Sequence, residues 1–171
     1  MEALKSKIRN VPDFPKPGIL FFDVTTLLRD REGFRLTIDA LAKPYHDRDI
    51  TAVVGVESRG FILGAAVADR IGAGFIPVRK LGKLPAATVR ASYDLEYGSD
   101  SLEMHRDAIE PGQRVLIVDD LLATGGTAKA TVALVKQLGG KVEGVAFLIE
   151  LVDLKGRVRL QGENVMAVLK Y

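Results

Sequence analysis

Short runs of Val and Ile, set apart by helical stretches, constrain the fold of this chain more than any other feature. Residues 52–56 (AVVGV), 75–78 (FIPV) and 114–118 (RVLIV) are apolar with little alternation. That is the pattern of strands buried on both faces of a parallel sheet. Between and after them the apolar positions recur at helical spacing. Phe34, Ile38, Leu41 and Tyr45 share one face over 34–45, residues 60–71 are nearly all apolar, and Ala128, Val132, Val135 and Leu138 form a stripe over 126–138. Gly139-Gly140 then reads as a helix C-terminal cap, and a further strand follows at 142–150. Strands and helices alternating in this way predict an α/β fold: an open, mostly parallel central sheet flanked by helices, with right-handed crossovers. Ligands of such sheets sit beyond the carboxyl ends of the strands.

The bulk numbers narrow the function classes. At 171 residues the expectation is a single domain, 1–171, with a core of its own. Lys and Arg (24) barely exceed Asp and Glu (22), so there is no sign of the basic field of a nucleic-acid binder. With no cysteine, the chain can have no disulfide, thiolate metal site or cysteine nucleophile. His46 and His105 are the only histidines, which excludes a multi-histidine zinc site; both read as surface or structural. No apolar stretch reaches the roughly 20 residues that span a bilayer. The N-terminal MEALKSKIRNVPDF lacks the apolar core of a secretory signal. A cytoplasmic protein with no membrane partner is the expectation.

One segment breaks the α/β rhythm. From Thr88 to Tyr97 apolar and polar residues alternate strictly, and the alternation resumes at Leu102 and Met104 after Gly98-Ser99-Asp100. That predicts a two-stranded ribbon turning near Gly98. The basic, Gly- and Pro-punctuated RKLGKLP leads into it. Two readings fit such an insertion, a lid over a site and a dimerisation arm.

The chemistry concentrates in LIVDDLLATGGT, residues 116–127. The strand is expected to end at Val118, with Thr124, Gly125, Gly126 and Thr127 turning into the next helix. Glycines let a backbone approach a ligand closely, and the free amides of a first helical turn favour an anion. The stretch therefore reads as a phosphate cradle. It is not a P-loop, which needs Lys-Ser or Lys-Thr after its last glycine: GVESRG (55–60) has the glycine spacing but is followed by Phe61-Ile62. The dinucleotide pattern GxGxxG is absent too. Asp119 and Asp120 would repel a phosphate, so they should face neutral donors or a metal. Ribose hydroxyls beside a 5-phosphate are such donors. The plainer reading of the pair is a helix N-cap aspartate beside a solvent-facing one.

VLIVDDLLATGGT resembles the phosphoribosyl pyrophosphate (PRPP) signature of the type I phosphoribosyltransferases. Synthetases of the same sugar phosphate and some purine and pyrimidine regulators share a DD version, but the synthetases are much longer chains. FPKPGILF (14–21), VVGVESRGFILGAAVA (53–68), VRKLGKLP (78–85), YDLEYGSDSLEMH (93–105) and LIELVDLKGR (148–157) all resemble the adenine phosphoribosyltransferases, in family order and spacing. The likeness covers nearly the whole chain. It implies the type I phosphoribosyltransferase fold, with a β-ribbon lid at 79–105 and a small N-terminal hood within 1–30.

The resemblance also implies roles. Ala123, Thr124, Gly125, Gly126 and Thr127 match the loop that binds the 5-phosphate, and Asp119 and Asp120 match the ribose-hydroxyl carboxylates. Glu57, Ser58, Arg59 and Gly60 match the pyrophosphate loop. Arg59 suits it independently, offering a planar fork for phosphate oxygens, although a lone Arg at a turn is more often a surface cap. Arg79, Lys80 and Lys83 match basic lid residues near the leaving pyrophosphate. Glu96 matches the general base or acid acting on the purine; read alone, it is a solvated charge on the polar face of a ribbon. Glu96 and Arg59 are thus the catalytic candidates. Leu20 and Phe21 match the adenine-holding positions, and Phe22 stands where the family usually has Arg or Lys. The implied reaction is adenine plus PRPP giving AMP and pyrophosphate, with Mg2+ held mainly by PRPP oxygens, in a homodimer. The alternatives are transfer to another purine and a PRPP-binding regulator without turnover. Against the regulator, the chain carries no added DNA-binding domain.

Overall fold

The computed structural model describes residues 1–94 and 99–171. The chain opens with a short helix α1 (Glu2–Lys5) and a small antiparallel pair, β1 (Arg9–Pro12) and β2 (Leu20–Asp23), registered Val11 to Phe21. Helices α2 (Thr25–Leu28) and α3 (Arg31–Ala42) follow. Asp30 caps α3 by accepting from the Gly33 amide at 2.7 Å, satisfying one of the orphan donors of a first turn. The helical stripe foreseen to Tyr45 stays on one face, but its last turn tightens into a 3-10 helix at Lys43–Tyr45, where Pro44 enters.

Next come β3 (Ala52–Val56), α4 (Arg59–Ile71), β4 (Gly74–Lys80), β5 (Thr88–Asp94), β6 (Ser99–His105), β7 (Arg114–Leu122), α5 (Gly126–Gln137), β8 (Lys141–Glu150) and β9 (Val165–Lys170). The main sheet has the order β5-β6-β4-β3-β7-β8-β9. Its inner part, β4-β3-β7-β8-β9, is parallel. The ribbon β5–β6 joins the β4 edge antiparallel, with Arg79 opposite Glu103. The predicted turn near Gly98 falls outside the described residues.

Two apolar layers bury the sheet. On one face Val53, Leu116 and Val118 pack with Ile38 and Leu41 of α3 and with Leu63 and Val67 of α4. On the other, Val54, Val115 and Ile117 pack with Val132 and Val135 of α5 and with Leu102 and Met104 of the ribbon. Alternation along β7 thus feeds both cores, which explains why its sequence is apolar throughout. Helix α4 lies unusually close to the sheet. A Cβ on Gly55 would come 2.6 Å from the Gly60 carbonyl oxygen and from the Phe75 ring, so only glycine fits between them. Among the described residues no helix is long and apolar enough to cross a membrane.

One boundary differs in a way that matters. Sequence places the end of the DD-bearing strand at Val118, whereas β7 continues to Leu122, pairing Asp119 with Phe147 and Leu121 with Ile149 on β8. Backbone pairing does not stop where side chains become polar. The two aspartates are strand residues.

Candidate active site

Of the site candidates, those of residues 57–60, 79–83 and 119–127 lie at the carboxyl ends of β3, β4 and β7, and Leu20 and Phe21 lie on β2. After β7, Gly125 adopts φ +84° and serves as the N-cap of α5. The first intrahelical bond runs from the Lys129 amide to the Gly125 carbonyl at 2.9 Å. The amides of Gly126, Thr127 and Ala128 are left without intrahelical acceptors and point out of the helix end. Residues 121–128 and Asp119 enclose a cavity of about 70 Å³. Thr124 is exposed at its rim. The helix dipole and the orphan amides suit this cavity to an anion.

Asp119 and Asp120 differ in their surroundings. The Asp119 Oδ1 accepts the Asp120 amide at 2.9 Å and lies beneath the first turn of α4, where a Cβ on Gly60 would come within 2.7 Å of it. Burial, and next the neighbouring Asp120 carboxylate, push the Asp119 carboxyl well above the usual carboxylate range. Asp120 is itself buried and is bonded by the Arg59 Nε in a short ion pair. Burial works against the Arg59 charge, but Asp120, with smaller help from Asp119 and Asp23, raises its pKa above the ordinary value. Arg59 and Asp120 are 61 residues apart in sequence.

Arg59 also faces the N-terminal strands, its guanidinium carbon 5.9 Å from the centroid of the Phe21 ring. Phe21 meets Phe14 edge-on, with centroids 5.1 Å apart. Ile19, Leu20, Phe21, Phe22 and Val24 line one wall of a cavity of about 140 Å³, with Arg59, Asp120 and Leu121 opposite. Phe22 turns partly away to pack on Tyr171, with ring centroids 4.1 Å apart. A cleft of about 540 Å³ lies between α1, Asn10 and Tyr171 and is lined by none of the motif residues.

The pyrophosphate-loop candidates divide. The Glu57–Ser58 peptide bond is cis. Arg59 and Gly60 open α4, and Ser58 is exposed ahead of them. The Glu57 carboxylate is engaged: it accepts from Arg79 Nε and from the Lys80 amide, each at 3.1 Å. Burial opposes its charge, yet these bonds hold its carboxyl below the usual range. Glu57 therefore fixes the basic end of β4 and is not itself open to an anion. The Lys80 ammonium reaches Asp100 on β6 at 3.3 Å. Lys83 is exposed, with no ion pair among the described residues. Glu96 lies outside the described residues.

Sequence reasoning missed Glu103. This carboxylate on β6 is only 2% exposed and accepts from the Gly82 amide (2.8 Å), Arg90 Nε (2.7 Å) and Thr88 Oγ1 (3.1 Å). It ties the basic loop after β4 to the ribbon. Read in sequence it is one polar position of an alternating strand, and nothing local distinguishes it from its neighbours.

What the fold and the cleft share is the plan of a phosphoribosyl transferase: a parallel sheet, an anion loop opening on glycine at one strand end, and a carboxylate pair beside it. The family model described as Phosphoribosyl transferase domain matches residues 23–160. The chain is 64% identical to the adenine phosphoribosyltransferase of Acidobacterium capsulatum over 170 residues, covering 99% of this chain and 94% of that one. It superposes on the crystal structure of adenine phosphoribosyltransferase from Rhodothermus marinus with a TM-score of 0.95 at 58% identity, covering 99% and 97% of the two chains. The Saccharomyces cerevisiae enzyme, complexed with an imino-altritol bisphosphate and adenine, matches with a TM-score of 0.93 at 42% identity, covering 98% and 97%. The chain belongs to the adenine phosphoribosyltransferase family.

Proposed function

We propose that the protein transfers the phosphoribosyl group of PRPP to adenine, giving AMP and pyrophosphate in purine salvage. One observation carries this reading. The loop after β7 with Asp119, and the cavity under the N-terminal strands with Asp120 and Arg59, adjoin at Leu121 on the end of one strand. The relatives, named for this activity and in one case complexed with adenine, supply the base. We read residues 1–171 as one domain, with a hood within 1–30 and a lid at 79–105.

In this reading the amides of Gly125 to Thr127, with the Thr124 and Thr127 hydroxyls, hold the 5-phosphate. Asp119 and Asp120 orient the ribose hydroxyls. Adenine enters between Phe21 and Leu121, near Leu20. The base nitrogen bonds to the anomeric carbon as the bond from that carbon to the pyrophosphate oxygen breaks. The transition state has oxocarbenium character, so the protein acts by placing charge and holding geometry. Arg59 exchanges Asp120 for pyrophosphate oxygens, and Arg79, Lys80 and Lys83 complete the positive rim. Glu96 takes the proton that the base gives up. Closure of the ribbon keeps water from the anomeric carbon.

Among the described residues no group of three or more acidic or histidine side chains could cage a metal. Two carboxylates at the ribose site, joined by substrate oxygens, fit the usual sparse protein coordination of magnesium. Bound with PRPP, Mg2+ would neutralise phosphate charge, and Asp119 and Asp120 would hold it. A cytoplasmic homodimer completes the proposal.

The test is pyrophosphate release with PRPP and magnesium, with adenine, hypoxanthine, guanine or xanthine supplied singly. Release with adenine alone is expected. Release with another base would overturn the specificity. PRPP binding without release for any base would replace the enzyme by a sensor.

A further inference from the structure

The stretch LKGR (154–157) has no part in the chemistry above, yet its backbone touches the anion loop from behind. Gly156 is buried, and a Cβ built on it would come 2.3 Å from the Ala123 carbonyl oxygen and 2.9 Å from Leu122 Cδ1. From the other side, a Cβ on Gly125 would come 2.5 Å from the Gly156 carbonyl oxygen. Two backbones are therefore in direct contact, each glycine leaving room for the other. The nearest contact on each side is a backbone carbonyl, which cannot move aside as a side chain can.

The segment behind the loop is itself held firmly. Arg157 donates from Nε and Nη2 to the two oxygens of Glu150, at 2.6 and 2.8 Å, and from Nη1 to the Val165 carbonyl at 2.8 Å. Glu150 ends β8 and is 5% exposed. Such a fork between planar groups fixes orientation as well as distance. The Leu151 amide donates to the Leu122 carbonyl at 2.9 Å, which joins the segment to the end of β7. Leu160 anchors its far end in the core beside α5.

We propose that Gly156 and the Arg157–Glu150 pair are positioning residues for the sugar-phosphate loop. They form a fixed wall that sets where the Gly125 to Thr127 amides point. The inference deepens the proposed function and rests on it for the identity of the anion. It assigns to Gly156 and Arg157 an effect on PRPP separate from any effect on adenine.

The experiment uses the full chain as wild type, Gly156→Ala, Arg157→Met and Arg157→Lys. KM for PRPP and for adenine are measured at saturating co-substrate, with ribose 5-phosphate binding by calorimetry and melting curves. A displacement of about 1 Å in a binding group costs on the order of 100-fold. Gly156→Ala should therefore raise KM for PRPP and weaken ribose 5-phosphate by roughly 30- to 100-fold. KM for adenine should stay within about twofold, since neither Gly156 nor Arg157 lines the cavity under the N-terminal strands. Arg157→Met should act in the same direction, and Arg157→Lys should recover part of the loss. Should Gly156→Ala not fold, the two Arg157 variants carry the test. Equal rises in both KM values, or an unchanged KM for PRPP, would overturn the inference. If wild type binds ribose 5-phosphate but turns over no adenine, the calorimetric difference still supports the wall while the enzyme reading falls. If wild type binds neither PRPP nor ribose 5-phosphate, both fall.

Discussion

Gly60→Ala probes the carboxylate pair without altering either carboxylate. The new Cβ would lie 2.7 Å from Asp119 Oδ1 and 3.2 Å from the Val118 carbonyl oxygen, where ordinary contact begins at 3.4 Å. The Val118 carbonyl belongs to a strand paired on both sides, with β3 and β8, and cannot yield. The first turn of α4 is equally fixed, because Gly60 presses its own carbonyl toward Gly55. Asp119 must then move by about 0.7 Å to restore contact. Overpacking of this kind costs about 1–3 kcal/mol, which lowers Tm by roughly 2–12 °C for a chain of this size. A shift approaching 1 Å in a group that orients substrate costs up to about 100-fold in kcat/KM for PRPP. The assay is initial-rate pyrophosphate release at varied PRPP, beside thermal melting. Wild-type kcat/KM with a lowered Tm would show that the Asp119 position is irrelevant to the reaction. The reasoning would then be wrong at its central step.

Three further outcomes follow from the same geometry. Asp119→Asn should raise Tm at neutral pH while abolishing PRPP binding by calorimetry. The folded pKa of Asp119 lies above its ordinary 3.8, so ionising it in the fold costs stability. The advantage of Asn should be absent below about 3.8, grow as pH rises to the folded pKa, and then stay level; melting curves from pH 3.5 to 8 read it. Glu103 works in the opposite sense. The Gly82 amide, assisted by Thr88 and Arg90, holds its carboxyl below the ordinary 4.5, so its stabilisation is present above 4.5 and lost as pH falls through the folded value. Glu103→Gln should remove that part of the acid sensitivity and loosen residues 81–88 to hydrogen exchange, and unchanged exchange there would refute its anchoring role. Glu96→Gln should lower kcat by 100-fold or more, the usual weight of a general base, with KM for PRPP little changed; wild-type kcat would remove Glu96 from the mechanism.

The layered fold was legible because burial dictates it. A strand covered on both faces must be apolar throughout, and a helix against it must carry a stripe, so 52–56, 60–71 and 126–138 could be placed within a residue or two. Strand β9 was missed although VMAVLK is as apolar as the others. The chain between β8 and β9 forms 3-10 turns at Val152–Leu154 and Gly156–Leu160, so no helical stripe announces a crossover. The turn into α5 was legible because Gly125 answers to a local backbone need. Neither the Arg59–Asp120 pair nor Gly156 against Ala123 had a local signal, since both join segments tens of residues apart.

The boundary error at Val118 has the largest consequence for the site. Had the strand ended there, Asp119 and Asp120 would be neighbouring loop residues with interchangeable surroundings. As strand residues they inherit the alternation of β7, in which Leu116 and Val118 enter the core beneath α3 and α4, while Val115 and Ile117 enter the one beside α5. Asp120 accordingly lines the cavity under the N-terminal strands with Arg59, and Asp119 lines the cavity of the anion loop. A motif that reads as a repeated charge is thus two differently held carboxylates, which approach the proposed ribose position from neighbouring cavities. Arg59 compensates the charge of Asp120, whereas Asp119 stays half-buried beside like charge without an equal partner. A carboxylate disfavoured by burial and like charge gains most when a ligand supplies donors to it. That makes Asp119, of the two, the carboxylate whose removal should cost PRPP binding most and folding least.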